Sequence, residues 1–265
     1  MRIAVAQLTS GPDPEANLSL IEEHTRKAVD GGAGVVVFPE AMMCAFGNDL
    51  SAVVEPLDGP WANRVRQIAT GLGVVVVAGM FTPGSEGRVR NTLLAVGPGV
   101  DTSYDKVHLF DAFGYRESES VEPGTRPVTF DVDGVTVGLA TCYDIRFPAL
   151  FTATAAAGAL VNLVCASWGA GEGKVEQWSL LSRARALDST TFVVACGQAD
   201  PASSGIQLEG TAPTGVGHSA VISPLGRVLV ELGPEPRLEF VDIDPSEVDD
   251  ARGKLPVLAN ARSFR

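Results

Sequence analysis

The sequence predicts an α/β fold in which sheet strands are buried on both faces and helices cover them. Two observations carry the prediction. Four short runs, VVVF at 35–38, VVVV at 74–77, LVNLV at 160–164 and TFVVA at 191–195, are almost wholly apolar and rich in β-branched residues, as suits strands without a solvent face. A segment of helical character precedes each of them, at 14–30, 60–70, 148–158 and 175–187, which is the alternation expected of helices packed on a sheet.

In chain order, MRIAVAQL at 1–8 alternates as a strand, and the helix at 14–30 places Leu18, Ile21, Thr25 and Ala28 on one face before Gly31 and Gly32 end it. VVVF at 35–38 delivers Pro39 and Glu40 at its end. After the helix at 60–70 and the strand VVVVAG at 74–79, LLAV at 93–96 and the segment around Tyr104 continue as strands with no helix between them. DKVHLFDAFGYRESES, which opens with Lys106 as its second residue, mixes charge, glycine and aromatics and reads as a long surface loop of the functional kind.

VTVGLAT at 135–141 is a strand running into Cys142, and Pro148 opens the small-residue helix at 148–158. The buried strand that follows reaches Ser167 and Trp168. GAGEGK, next in line, is rejected as a phosphate loop: Trp168 stands where that motif needs its first glycine, and Val175 follows the lysine in place of Ser or Thr. An amphipathic helix at 175–187 carries Trp178, Leu181 and Arg185, and TFVVACG follows at 191–197. A hairpin is expected from 215–222 and 228–232, a last strand at 238–243, a short helix from Pro245, and then a tail. With no repeat, low-complexity block or linker in sight, residues 1–265 are expected to form one domain.

Composition narrows the function. The 20 basic and 32 acidic residues leave a net charge of −12 and no basic stripe, which disfavours nucleic acid as a partner. No apolar run approaches the roughly 20 residues needed to cross a bilayer, and no secretory signal opens the chain, so no membrane partner is expected and the location is expected to be cytoplasmic. Cys44, Cys142, Cys165 and Cys196 are far apart and show no CxxC spacing, so reduced thiols are expected, without a disulfide frame or a metal site.

Glu40, Lys106 and Cys142 share one topological position, at or just beyond the C-terminal end of a strand, and strand ends on one side of a sheet converge on a crevice. A thiol becomes a good nucleophile when a carboxylate can take its proton and an ammonium stabilises negative charge nearby, which is the chemistry these three residue types supply together.

The chain resembles the nitrilase superfamily of carbon-nitrogen hydrolases. VVVFPEA around Glu40, YDKVHLFD around Lys106 and GLATCYDIRFP around Cys142 are similar, in order, to that family's glutamate, lysine and cysteine motifs, and YRESESVEPG, RARALDSTTFVVA and GHSAVISPLGRVL extend the likeness over nearly the whole chain. The resemblance implies a four-layer α-β-β-α sandwich, cysteine-based hydrolysis of a small-molecule amide or nitrile with no metal or cofactor, and pairing of subunits through their helical layers as a homodimer or higher homo-oligomer.

It also implies roles. Cys142 attacks the substrate carbon, Glu40 serves as general base, and Lys106 holds the oxyanion together with the backbone N–H of Tyr143. Glu117, with Glu119 as its local rival, matches the family's second carboxylate. CYDIRFP and GHS are most similar to the small-amidase branch of deaminated glutathione amidases and ω-amidases, which makes amide hydrolysis with release of ammonia the leading expectation and nitrile or N-carbamoyl amino acid hydrolysis the alternative. Two positions depart from that branch: Ala149 replaces an acidic residue and Gln177 replaces a histidine.

Phe46, Phe113 and Trp168 flank the motifs as candidates for the substrate pocket, and Arg116 or Arg146 would serve a substrate carboxylate. Two rival readings remain: a Cys-His enzyme using His108 or His218 as base, and a catalytically silent binding or scaffolding protein that retains the fold.

Overall fold

The computed structural model describes residues 1–207 and 212–262. Its first half runs β1 (Arg2–Gln7), α1 (Pro14–Asp30), β2 (Val35–Val37), α2 (Pro60–Leu72), β3 (Val75–Pro83), β4 (Val89–Gly97) and β5 (Val100–Asp105), then the short hairpin β6 (Asp111–Ala112) and β7 (Tyr115–Arg116). The second half runs β8 (Thr129–Val132), β9 (Val135–Thr141), α3 (Pro148–Ala156), β10 (Val161–Ala166), α4 (Lys174–Ser189), β11 (Phe192–Gly197), β12 (Ala220–Ile222), β13 (Val228–Glu231), β14 (Arg237–Asp242), α5 (Ser246–Lys254) and α6 (Val257–Asn260).

The strands form two six-stranded sheets, in the orders β14-β1-β2-β3-β4-β5 and β13-β12-β11-β10-β9-β8. In each, three parallel strands lie at the centre: Ile3 pairs with Val35 and Val35 with Val75 in the first, Val161 with both Val137 and Phe192 in the second. The four apolar runs supply β2, β3, β10 and β11, none of which is an edge strand.

Period-two alternation sorts the side chains into layers. Ile3, Val5, Val35, Val37, Val75 and Val77 turn toward the second sheet and share a core with Val137, Leu139 and Leu163. Their neighbours Ala4, Ala6, Val36, Val76 and Ala78 turn outward and pack with Leu18 and Ile21 of α1 and Trp61 and Val65 of α2. Helices α3 and α4 cover the second sheet, packing on β9 and on β11 and β12. The result is the four-layer α-β-β-α sandwich expected above.

Helix boundaries follow local chemistry. Asp13 caps α1 by accepting from the backbone N–H of Glu15 at 3.0 Å, with Pro14 in the first turn. Gly73 ends α2 in the left-handed region at φ 68°.

Four features differ from the sequence reading. The expected strand from Gly215 is paired only from Ala220, because the Gly217 and His218 amides donate to Gln198 and Gly233 carbonyls away from the ladder. The long loop after Lys106 contains the β6–β7 hairpin and a single 3-10 turn, Glu117–Glu119. Strand β8 had no run of its own to announce it, since TFDV is short and interrupted by Asp131. The expected tail holds α6, and its last residues, 263–265, lie outside the described residues.

Gly79 of β3 marks where the first sheet presses against the residues after β2. A β-carbon there would sit 2.5 Å from the backbone nitrogen of Ala41 and 2.9 Å from the carbonyl carbon of Glu40, backbone atoms that cannot swing aside. Gly79→Ala is therefore expected to destabilise the protein by about 1–3 kcal/mol. Urea unfolding followed by circular dichroism measures this, and an unchanged midpoint would refute the close approach.

Candidate active site

Four segments converge at one end of the two sheets. Glu40 follows β2 in a turn fixed by hydrogen bonds from the Phe38 N–H to the Val77 carbonyl at 2.8 Å and from the Gly79 N–H to Pro39 at 3.3 Å. The next residue, Ala41, has φ 59°, so the chain turns sharply beneath the glutamate. Lys106 follows β5, its N–H donating to the Asn91 carbonyl at 2.9 Å and its own carbonyl accepting from Gly124 at 2.8 Å. Glu117 opens the 3-10 turn after β7, and its Oε2 accepts the Phe110 N–H at 2.6 Å. Cys142 follows β9 with φ 46°, a left-handed conformation unusual for a residue with a side chain, and it begins the 3-10 turn Cys142–Arg146.

These four side chains are buried together. The Lys106 ammonium donates to Glu117 Oε1 and Oε2 at 2.9 and 2.8 Å and to Glu40 Oε1 at 3.3 Å. Glu40 Oε1 also accepts from Asn91 Nδ2 at 2.7 Å, and its Oε2 accepts the Ser167 N–H at 2.7 Å. The Cys142 thiol donates to the Ser167 carbonyl at 3.7 Å, so Ser167 holds the carboxylate by its N–H and the thiol by its carbonyl.

The electrostatics follow from that packing. Burial pushes the Glu40 carboxyl above its ordinary value, opposed by Lys106 and by the Asn91 and Ser167 donors and reinforced by Glu117. Burial also works against the Lys106 ammonium, but the two carboxylates together outweigh it and hold Lys106 well above its ordinary value. Burial first, and then Glu40, push the Cys142 thiol well up, with Lys106 pulling the other way. At neutral pH the resting group is thus a thiol beside a carboxylate whose proton affinity is raised.

A cavity of about 410 Å³ opens onto this cluster, lined by Glu40, Lys106, Glu117 and Cys142 at one side and by aromatic rings at the other. Phe46, Phe113 and Trp168 all line it. Trp168 is buried, whereas Phe113 is 80% exposed at the tip of the β6–β7 hairpin. Besides Lys106, two further cations border the same space, Arg146 and Lys174, together with the carboxylate of Glu172. Gln177 Oε1 accepts from Arg146 Nη2 at 2.7 Å, while the guanidinium lies 5.0 Å from the Trp168 ring centre. Lys174 Nζ sits 4.0 Å from the centre of the Phe113 ring. Arg116 and Glu119 are exposed, and neither borders the cavity.

The two candidate histidines lie away from the cluster. His108 hydrogen-bonds Asp144 Oδ1 through Nδ1 at 2.7 Å and stacks on Phe147 with ring centres 3.7 Å apart. His218 uses its carbonyl to accept from Trp178 Nε1 at 2.9 Å. Neither lines the cavity. Among the described residues no group of three or more His, Cys, Asp or Glu side chains is placed to hold a metal ion.

Sequence reading missed Asn91, Ser167, Lys174 and the acceptor role of Asp144. None stands in a motif whose chemistry names it. Only for Ser167 was there a usable signal, its place at the end of a buried strand, the position that had singled out Glu40 and Cys142.

A family model described as carbon-nitrogen hydrolase matches residues 2–253 of the chain. A protein of Mycobacterium tuberculosis described as a hydrolase is 56% identical over 270 residues, which cover 100% of this chain and 96% of that protein. A deaminated glutathione amidase of Escherichia coli O157:H7 is 31% identical over 267 residues, covering 99% and 97% respectively. Among solved structures, a variant of the amidase from Nesterenkonia sp. AN1, in which acrylamide has undergone Michael addition at the active-site cysteine, superposes with a TM-score of 0.78 at 29% identity, covering 97% of this chain and 98% of that one.

Cys142 is 9% exposed, against 1% for Cys44 and 0% for Cys165 and Cys196. Iodoacetamide is accordingly expected to label Cys142 ahead of the other three. The thiolate absorbance of the wild-type protein minus that of Cys142→Ala should appear only above the range of an ordinary cysteine, since the folded protein raises this group. A step below about pH 8 would contradict the direction of that shift.

Proposed function

Because the chain belongs to the carbon-nitrogen hydrolase family, we propose that it is an amidase that hydrolyses a small-molecule amide to a carboxylic acid and ammonia through a thioester on Cys142. The observation that carries this reading is the burial of the Glu40–Lys106–Glu117 cluster against the Cys142 thiol at the floor of the cavity. Three ionisable side chains withdrawn from water beside a thiol serve no packing purpose, which weighs against a silent scaffold.

In the proposed mechanism the Cys142 Sγ attacks the amide carbon while its proton passes to Glu40, whose raised proton affinity suits it to the task. Negative charge gathers on the former carbonyl oxygen and is held by the Lys106 ammonium and the Tyr143 N–H, which opens a helical turn where donors are unpaired. Glu40 returns the proton to the departing nitrogen, the C–N bond breaks, and ammonia leaves a thioester. Water then attacks the thioester carbon, giving its proton to Glu40, and collapse releases the acid and restores the thiol. Glu117 keeps Lys106 placed through both steps.

Two cations on the cavity wall, Arg146 and Lys174, support an amide that carries a carboxylate elsewhere in its acyl chain. The reducing interior suggested by four free, buried cysteines supports a cytoplasmic setting. Exposed Leu180 and Leu187 on α4, at 67% and 38%, support pairing of subunits through a helical layer.

Ammonia release is to be measured over a panel of neutral aliphatic amides, carboxylate-bearing amides, nitriles and N-carbamoyl amino acids. The carboxylate-bearing amides are expected to lead. On the best of them, Lys106→Met should lower turnover about a hundred- to a thousandfold with little change in KM, because the contact is strongest in the transition state. A folded Lys106→Met protein with turnover within about tenfold of wild type would remove Lys106 from the mechanism.

A further inference from the structure

Asp144 is wholly buried, and its carboxylate accepts four hydrogen bonds. Oδ2 accepts from the Tyr104 hydroxyl at 2.7 Å and from the Thr141 N–H at 2.9 Å, while Oδ1 accepts from the His108 N–H at 2.9 Å and meets His108 Nδ1 at 2.7 Å. Any buried carboxylate must find donors. What distinguishes this one is where they come from. Tyr104 and His108 stand two residues either side of Lys106, at the end of β5 in the first sheet. Thr141 and Asp144 itself bracket Cys142 and Tyr143, at the end of β9 in the second sheet.

We infer that Asp144 is a positioning residue, whose buried carboxylate fixes the Lys106 segment of one sheet against the Cys142–Tyr143 turn of the other and so sets the geometry in which thiol, oxyanion donors and ammonium meet. The inference rests on the proposed amidase reading for what that geometry accomplishes. It goes beyond that reading in assigning the alignment of the two sheets' contributions to a group that touches neither substrate nor thiol. The surrounding contacts leave Asp144 in charge of this alignment. Tyr104 is buried and also accepts the Val107 N–H at 3.3 Å, so its hydroxyl extends the clamp along the Lys106 segment. From the other side, Arg185 of α4 donates to the Ile145 carbonyl at 3.0 Å and anchors the far end of the turn. The turn is thereby held at Ile145 by its own sheet's helix and at Asp144 by the opposite sheet.

Asp144→Asn keeps the volume and removes one acceptor. The amide has one oxygen for two donor pairs, each of which includes a backbone N–H that cannot reverse, so at least one of the Thr141 and His108 N–H groups must face an NH2. Displacement of reacting groups by about 1 Å is enough to cost on the order of a hundredfold. Asp144→Asn is expected to lower kcat by about 10- to 100-fold with KM within about threefold of wild type. Tyr104→Phe, which removes only the hydroxyl that donates to Asp144 and accepts from the Val107 N–H, should lower kcat by about 3- to 10-fold with the same split. The alkylation profile of Cys142 with iodoacetamide supplies a readout independent of turnover. Lys106 lowers the proton affinity of Cys142 whereas Glu40 and Glu117 raise it. Loosening Lys106 from the turn should therefore move the profile of both variants to higher pH.

The experiment compares kcat, KM, the alkylation profile and thermal unfolding for wild type and the two variants as full chains. Reduced kcat with the shifted profile in a folded variant supports the inference. A folded Asp144→Asn protein whose kcat and alkylation profile both stay within about twofold of wild type overturns it. If Asp144→Asn does not fold, Tyr104→Phe decides by the same criteria. If the wild type hydrolyses no amide, the amidase reading fails separately, and the alkylation profile alone still tests whether Asp144 sets the Lys106–Cys142 relation.

Discussion

Glu40 and Glu117 are both withdrawn from solvent, and the Lys106 ammonium between them, hydrogen-bonded to each, supplies the opposite charge that their burial requires. Removing a charge from water costs on the order of several kcal/mol per ion in a protein interior, recovered only when geometry and additional hydrogen bonds are good. Both conditions are met. Lys106 is bidentate to Glu117 and shares Glu40 with Asn91 and the Ser167 amide. Burial is nevertheless the main reason that Glu40 and the neighbouring thiol both hold their protons more tightly than usual, with Glu117 adding to it at both sites and Lys106 opposing it. In the proposed mechanism this matching helps, because a thiol and a carboxylate raised together exchange a proton more readily than a raised thiol could with an ordinary carboxylate.

The two-sheet architecture serves this cluster directly, because each charged turn is secured by the opposite sheet. Glu40 belongs to the first sheet, yet its side chain accepts from Ser167 and its carbonyl from Gln198 Nε2 at 2.8 Å, both beyond strand ends of the second. Asp144 of the second sheet reaches back to Tyr104 and His108 in the same way. A slip of one sheet over the other would break these bonds together, so the inter-sheet core of Val35, Val75, Leu139 and Leu163 and the polar end are mutually supporting.

Much of this was legible in the sequence. Almost wholly apolar runs announced β2, β3, β10 and β11 because a parallel strand covered on both faces has little polar phase to obscure it. Glu40, Lys106 and Cys142 were legible because each stands just beyond the end of a strand, and that position survives small errors in strand boundaries. What lay hidden depended on phase and distance. Glu117 and Glu119 are two residues apart in a 3-10 turn, one buried and one exposed, and no periodicity in that loop distinguishes them. Asn91 sits in an antiparallel strand, where its direction depends on register with Phe81. Arg146 and Lys174 meet at the cavity only because the turn after β9 and the start of α4 fold together, a long-range fact.

In the proposed mechanism the buried cluster makes a nucleophile of Cys142, and turnover passes through a covalent thioester. Rapid-quench mass spectrometry during turnover of a carboxylate-bearing amide tests it most directly, because acid quenching preserves a thioester. The account predicts transient protein heavier by the substrate's acyl group, with the added mass on the peptide containing Cys142 and ammonia released no later than the adduct forms. Turnover that leaves Cys142 unmodified at every quench time, and that persists in Cys142→Ala, would contradict it.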